Sequence, residues 1–363
     1  MNKSKLIFVK AYLNKNLGDD LFIDILVNRY PEHKFIILVA NKNFSYLSKY
    51  ENIKVIKLNI VRRVINHLYS HFFKINFFEQ FFEKKCDLTV MIGGSLFMQT
   101  GEWYANYINL KNNFCKNHNN YLIGCNFGPY YDESYKEKYR KLFELYTDIC
   151  FRDNYSFSLF KDLKNVRIAP DVVFNYSIPE KDYKTEKSIS ISIIDPEKKV
   201  ARKKISLYDE KIIECIEYFC NKKYKVNLLS FCENEGDTDY INKLVSQNDL
   251  KNNVNIYEYN GNISEFIDIM NESEYIIATR FHCMILGWLM GKNVYPIIYN
   301  EKMKNVIYDV KFKGEFSYLD DLNDFSPENV FLNKDIKIDL YDLKRRASDQ
   351  FKSLDKYLGG HDE

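Results

Sequence analysis

The stretch Tyr275-Ile-Ile-Ala-Thr-Arg-Phe-His-Cys-Met-Ile-Leu-Gly-Trp-Leu-Met290 decides the fold class. It opens on Tyr275–Ala278, an aromatic and β-branched run with strand composition, and passes through one short turn into an apolar helix of small and large residues over Ile285–Met290. A strand that feeds directly into a helix is the repeating unit of a parallel sheet with crossover helices. Working outward, the same alternation recurs. In the first half it gives strands at Leu6–Ala11, Lys34–Ala40, Ile53–Leu58, Leu88–Ile92, Tyr121–Asn126, Ile149–Arg152 and Val166–Ala169. In the second half it gives Ser188–Ile194, Lys225–Phe231, Val254–Tyr259 and Val294–Tyr299, with helical segments such as Asp209–Phe219 and Ile263–Met270 between them. The pattern lapses at Ser177–Lys187 (SIPEKDYKTEK), which is charged and contains proline and therefore reads as a linker. We predict an α/β protein of two doubly wound domains, residues 1–178 and 188–335. The remaining residues, 336–363, hold a helix over Tyr341–Leu358 whose Leu343, Phe351, Leu354 and Leu358 form an apolar face that packs across the domain junction.

With 363 residues, the chain is long for one core, in keeping with two domains. Its 46% hydrophobic and 28% charged residues exclude disorder as a main theme. Lysine and arginine number 52 against 50 acidic residues, a net charge of +2 that creates no global field for nucleic acid, so any anion site is local. Eight cysteines (86, 115, 125, 150, 215, 220, 232 and 283) are scattered without a C-x-x-C pair and read as small core residues in a reducing compartment. His67 and His71 share a helical face but lack a carboxylate partner, so no metal is expected. Leu6–Val9, closed by Lys10, is far too short for a signal-peptide core, and we expect a cytoplasmic protein.

Open α/β sheets bind ligands beyond the carboxyl ends of their strands, and the residues there are the candidate site. Gly18-Asp19-Asp20 follows the first strand and opens a helix. Two carboxylates repel phosphate, so this loop suits sugar hydroxyls, or Asp19 simply caps the helix. Gly93-Gly94-Ser95 and Gly124-Cys125-Asn126-Phe127-Gly128-Pro129 end later strands with glycines that permit close backbone approach, though each is also an ordinary turn. Arg152 offers a planar fork to an anion or a salt bridge to a neighbour, and Asp171 is a strand-end cap or an acid–base group. The sharpest cluster is Thr279-Arg280-Phe281-His282, where a cation, a ring that titrates near neutrality and a positive helix end share one turn. Lys302 follows the next strand as a further anion ligand or a surface lysine.

Taken in order, NLGDD at Asn16–Asp20, GGSLF at Gly93–Phe97, G-x-N-x-GP at Gly124–Pro129, FRD at Phe151–Asp153, APD at Ala169–Asp171, TRFH at Thr279–His282 and then Tyr299-x-x-Lys302 resemble the polysaccharide pyruvyl transferase family over most of the chain. That resemblance implies a GT-B-like fold of two Rossmann-like domains facing a cleft, with the acceptor on the N-terminal side and the donor on the C-terminal side. The implied donor is phosphoenolpyruvate, used without a cofactor. The implied acceptor is a sugar diol of a capsule or exopolysaccharide precursor, free or lipid-linked, and the product is a cyclic pyruvate ketal. Arg280 and His282 would lie at the donor, with Arg152 and Lys302 as further cations. His282 would transfer the proton or hold the phosphate, and Asp171 or Asp19 would act as base, while Gly18, Gly93, Gly94, Ser95 and Asn126 would line the substrate. Two other readings stay open at this level: a glycosyltransferase using a sugar nucleotide on the same scaffold, and a non-catalytic glycan-binding or assembly protein.

One segment stands apart. Val61–Cys86 carries the doublets Phe72-Phe73, Phe77-Phe78 and Phe81-Phe82 beside Arg62, Arg63, Lys74, Lys84 and Lys85. It reads either as a core-facing crossover helix or as a basic amphipathic surface resting on the inner face of a membrane.

Overall fold

In the computed structural model, which describes residues 3–39, 44–73, 75–116, 118–197 and 199–359, every strand anticipated from the sequence is present. The first sheet contains β1 (Leu6–Ala11), β2 (Lys34–Val39), β3 (Ile53–Lys57), β4 (Leu88–Ile92), β5 (Asn119–Cys125), β6 (Asp148–Phe151) and β7 (Val166–Ile168). The second contains β8 (Ser188–Ile193), β9 (Lys225–Ser230), β10 (Val254–Glu258), β11 (Tyr275–Ala278), β12 (Asn293–Ile298) and β13 (Ser317–Tyr318). The expected strand end at Ala40 and the expected Lys74 lie outside the described residues. The two-residue β13 was not legible, because nothing so short carries a period.

The strand orders are β3-β2-β1-β4-β5-β6-β7 and β10-β9-β8-β11-β12-β13, with every neighbouring pair parallel. Both are doubly wound α/β orders, with the chain reversing its direction of travel beside β1 and again beside β8. The chemistry of β8 shows why a strand sits at each centre. In Ser-Ile-Ser-Ile-Ser-Ile all six residues are buried, with Ile189, Ile191 and Ile193 in the second unit's apolar core and the serines on the opposite face. Both faces of a central parallel strand are covered by helices, so an uninterrupted run of buried residues is stable there. The first unit's core is aromatic: Phe97, Phe127, Phe143 and Phe160 pack with Tyr135 and Tyr139 under β4, β5 and β6. Each fully buried ring of this kind stabilises the fold by about 3 kcal/mol.

Two compact units result. One comprises residues 1–13, 22–172 and 345–363, and the other residues 14–21 and 173–344. The linker read at Ser177–Lys187 holds no helix or strand and belongs to the second unit, where Lys181 Nζ lies 2.7 Å from the Asp268 carboxylate and the Tyr183 hydroxyl donates to it at 2.7 Å.

The C-terminal helix differs from expectation. It is helix over Leu340–Ser348, a 3-10 turn over Asp349–Phe351, and helix again over Lys352–Leu358. The interruption has a cause. The buried Gln350 side chain accepts from Gly124 N at 3.0 Å and donates to the carbonyls of Ala169 (2.9 Å) and Pro170 (3.0 Å), while Arg167 donates to the backbone carbonyls of Asp349 and Gln350. Leu343, Phe351, Leu354 and Leu358 are buried, as their spacing predicts.

Candidate functional site

In the first unit, four adjacent strands place their carboxyl ends side by side, so residues far apart in sequence meet. Gly94 follows β4, Asn126 follows β5, Arg152 follows β6 and Asp171 follows β7. The loops after β4 and β5 stay paired beyond the strands, with Asn126 N donating to Gly94 O at 3.0 Å and Gly128 N to Phe97 O at 2.7 Å. Arg152 lies buried across this floor. Its Nη1 donates to Asp171 Oδ2 at 2.9 Å and its Nη2 to Asn126 Oδ1 at 2.6 Å, and Ser95 Oγ donates to the same amide oxygen at 3.3 Å. Gly94 leaves room for this approach, since a Cβ there would stand 2.7 Å from Arg152 Nη1 and the guanidinium would have to shift. The structure thus gathers Gly94, Ser95, Asn126, Arg152 and Asp171 into one polar cluster, with Gly93 in the same loop. It also pairs Arg152 with Asp171, so the cation and the carboxylate balance each other, and neither is an isolated charge.

In the second unit, Ser192 at the end of β8 holds the turn after β11. Its hydroxyl accepts from Thr279 N at 3.0 Å and from Arg280 N at 3.1 Å, and Thr279 Oγ1 donates back to the Ser192 carbonyl. Arg280 is thereby fixed as the residue preceding the helix Phe281–Leu289, with His282 in that helix's first turn. The Arg280 side chain points to the end of β9, where Nη1 donates to Glu235 Oε2 at 2.6 Å and Nη2 to Asp237 Oδ1. Asp237 Oδ2 accepts from Phe231 N at 3.2 Å and Cys232 N at 3.1 Å, so this carboxylate ties the loop together as well.

The segment after β1 joins this group. Asn16 Nδ2 donates to Glu235 Oε1 at 3.2 Å, Leu17 N donates to Phe231 O at 3.2 Å, and the Tyr259 hydroxyl donates to Asp20 Oδ2 at 2.8 Å. Asn16 Oδ1 accepts from Gly18 N at 3.0 Å, while Asp19 lies within the first turn of the helix Leu17–Arg29. Asn16 therefore supplies the cap considered for Asp19. The role of Gly18 is steric. A Cβ at this position would lie 1.7 Å from His282 Nδ1, so the bare backbone is what lets the imidazole sit where it does.

Charge in this cluster is distributed differently from the sequence expectation. Arg280 already faces two carboxylates, and burial, which opposes its charge, is outweighed by Asp237 and Glu235, which hold its pKa above the ordinary value. The positive charge beside it comes from two lysines. Lys199 Nζ lies 5.5 Å and Lys302 Nζ 5.8 Å from the centre of the Tyr299 ring, and Lys302 is also 5.5 Å from the ring of Phe281. Burial raises the pKa of the Tyr299 phenol, yet Lys302, Arg280 and Lys199 bring it below its usual value.

Glu235, Asp237 and Lys199 were missed in the sequence. Glu235-Gly236-Asp237 between β9 and a helix obeys the same strand-end logic that picked out TRFH, and that signal was present. Lys199 lies outside any strand or helix and gives no such sign. All eight cysteines are free, and burial pushes the Cys150 and Cys283 thiols up to about 12, which keeps them protonated and inert. Among the described residues, no group of three or more His, Cys, Asp or Glu side chains is arranged to hold a metal ion.

Two parallel Rossmann-like sheets, each with polar residues at the carboxyl ends of its strands, define a GT-B-like α/β protein. Solved structures agree. MnaA of S. aureus, determined with UDP, superposes with a TM-score of 0.60 at 13% identity, covering 99% of this chain and 98% of that one. HepE of Anabaena, in complex with UDP and glucose, gives 0.56 at 10% identity over 99% and 100%. A putative UDP-N-acetylglucosamine 2-epimerase of Listeria monocytogenes gives 0.57 at 11% over 96% and 91%. Identities this low speak for fold alone. No curated protein matches the sequence. The polysaccharide pyruvyl transferase family model matches residues 16–301, more than three quarters of the chain, and the protein belongs to that family.

Proposed function

We propose that this protein transfers the enolpyruvyl group of phosphoenolpyruvate to a sugar diol of a surface polysaccharide precursor, closing a cyclic pyruvate ketal and releasing phosphate. The observation that carries this reading, beside family membership, is the second unit's cluster: Lys199 and Lys302 flank Tyr299 in one group with Arg280, at the helix turn that bears His282. Phosphoenolpyruvate brings a phosphate and a carboxylate and needs several cations. The two lysines and the N-terminus of the helix Phe281–Leu289 are suited to meet them. Arg280, bound to Glu235 and Asp237, holds the turn in place.

The reaction follows from the donor's electronics. A proton from His282 adds to the methylene carbon and leaves an oxocarbenium-like neighbouring carbon. One sugar hydroxyl bonds to that carbon and gives its proton to a carboxylate, Asp19 or Asp171. The bond to phosphate breaks, with the electron pair leaving on phosphate beside the lysines. The second hydroxyl then closes the ring and its proton restores His282, while the proton held by the carboxylate is released with the phosphate. The first unit's Gly94, Ser95, Asn126, Arg152 and Asp171 are the acceptor's ligands in this scheme. This scheme requires no cofactor or metal, because positive side chains meet the leaving phosphate, and it takes place in the cytoplasm.

The UDP carried by structural neighbours motivates the alternative donor, a sugar nucleotide. Phosphate release from phosphoenolpyruvate with galactoside or mannoside acceptors, run beside nucleotide release from a panel of sugar nucleotides, separates the two. Phosphate release that depends on acceptor is the expected result. Absence of both thermal stabilisation and turnover with phosphoenolpyruvate overturns the reading, and nucleotide release alone replaces it.

A further inference from the structure

Between Glu51 and Glu79 the chain runs for 27 residues without a carboxylate while carrying Lys54, Lys57, Arg62, Arg63 and Lys74. In a protein whose total net charge is only +2, this is a concentrated and locally unbalanced field. The segment includes the 14-residue helix Ile60–Phe73. A helix packed on a soluble core turns its apolar side chains inward. This one does the reverse: Ile60 (70% exposed), Val61, Val64, Leu68 and Phe72 (71%) all face outward. At about 100° per residue they fall within an arc of about 120°, a continuous apolar stripe. Arg63 and His67, also exposed, run along one margin of that stripe, and His71 falls within it.

The opposite side holds the helix to its own unit. Ile65, Asn66 and Ser70 are partly buried, the rings of Tyr69 and Phe77 are 4.7 Å apart, and the Arg62 guanidinium lies 5.9 Å from the centre of the Phe78 ring. The following helix, Phe77–Glu83, extends the surface with exposed Phe81, over which Lys85 Nζ lies at 4.0 Å. The core-facing reading of Val61–Cys86 is therefore wrong for its first helix.

We propose that the helix Ile60–Phe73 is a docking surface for an anionic lipid bilayer. Its apolar stripe enters the headgroup and acyl boundary, and the exposed Arg63 beside it meets the phosphates, within the wider positive field of the carboxylate-free segment. An exposed apolar stripe beside uncompensated cations is the combination such an interface selects. A second copy of the chain is a poor occupant, because two copies of the helix Ile60–Phe73 would bring like charges together without a carboxylate on either helix. Among the described residues no helix is long and apolar enough to cross a membrane. The docking surface is independent of the donor chemistry proposed above.

Sedimentation of the purified full-length protein with vesicles tests it. One set is phosphatidylcholine alone, the other phosphatidylcholine mixed with phosphatidylglycerol, each at about 0.1 M and about 1 M salt. The protein is expected to pellet with the anionic vesicles at low salt, and not with neutral vesicles or at high salt. Arg63→Glu is expected to lower the partition coefficient about 30-fold. Leu68→Glu is expected to lower it at least about tenfold. Both positions are exposed, so far-UV circular dichroism and the unfolding midpoint should not change. Failure to pellet overturns the proposal, as does equal pelleting with neutral vesicles. A concentration-dependent dimer that Leu68→Glu dissolves, without vesicle binding, also overturns it in favour of a second copy.

Discussion

At the scale of the residue, two glycines act through what they lack. Gly94 and Gly18 admit the Arg152 guanidinium and the His282 imidazole to positions that any Cβ would occupy. At Gly18 the conflict is with a ring held in a helix, and a ring cannot yield as the end of a long side chain does. Gly18→Ala is therefore expected to displace His282 by about an ångström, lowering kcat/KM for phosphoenolpyruvate about 100-fold. Because the displaced ring is only half-buried, the unfolding midpoint should move little. Phosphate release and a thermal melt on one preparation check both parts, and full activity in this variant would remove His282 from the reaction.

At the scale of the element, the working unit is the strand-to-helix turn, and each turn is fixed by a neighbouring strand. Ser192 of β8 holds the turn after β11, and Asp237 after β9 holds both its own loop and Arg280. Buried charges persist in such turns because each has a partner, and removal of one partner typically costs about 3–5 kcal/mol. Glu235 gives this arrangement a pH dependence. Burial alone would raise its carboxyl pKa, but Arg280, Lys199 and Lys302 hold it below the usual 4.5. A carboxylate with a depressed folded-state pKa contributes stability that is fully present above its unfolded value and is lost as pH falls through the folded one. The stability difference between the wild type and Glu235→Gln is thus expected to be constant above pH 4.5 and to shrink below it. Denaturant unfolding at a series of pH values measures this, and a gap that widens on acidification would reverse the assignment.

At the scale of the whole molecule, the end of the chain completes the unit in which the chain began. Gln350 inserts among the backbone groups of Gly124, Phe151, Ala169 and Pro170, which belong to three different strand ends. Gln350→Ala leaves a buried N–H and at least one carbonyl without this partner, at a cost of about 3 kcal/mol. The loss should appear as faster proteolysis within residues 22–172 under native conditions, with residues 173–344 less affected. Uniform protection of both units in this variant would show that the first does not depend on its C-terminal segment.

The two parallel sheets and the order in which their strands appear are legible in the amino-acid sequence, because apolar strands and periodic helices are local patterns that survive without tertiary information. The sequence also located Gly94, Asn126, Arg152, Asp171, Gly18, Arg280, His282 and Lys302, since strand ends next to glycine or charge can be read along one dimension. Which of these touch is settled by folding alone. It joined Arg152 to Asp171, set Gly18 against His282 and gave Arg280 to Glu235 and Asp237. It also brought Lys199 to Tyr299 and turned the apolar side of Ile60–Phe73 outward. The physical reason is common to all of them. Charge pairing and burial depend on distances across strands and helices, and a hydrophobic stripe has the same period whether it faces a core or the surface.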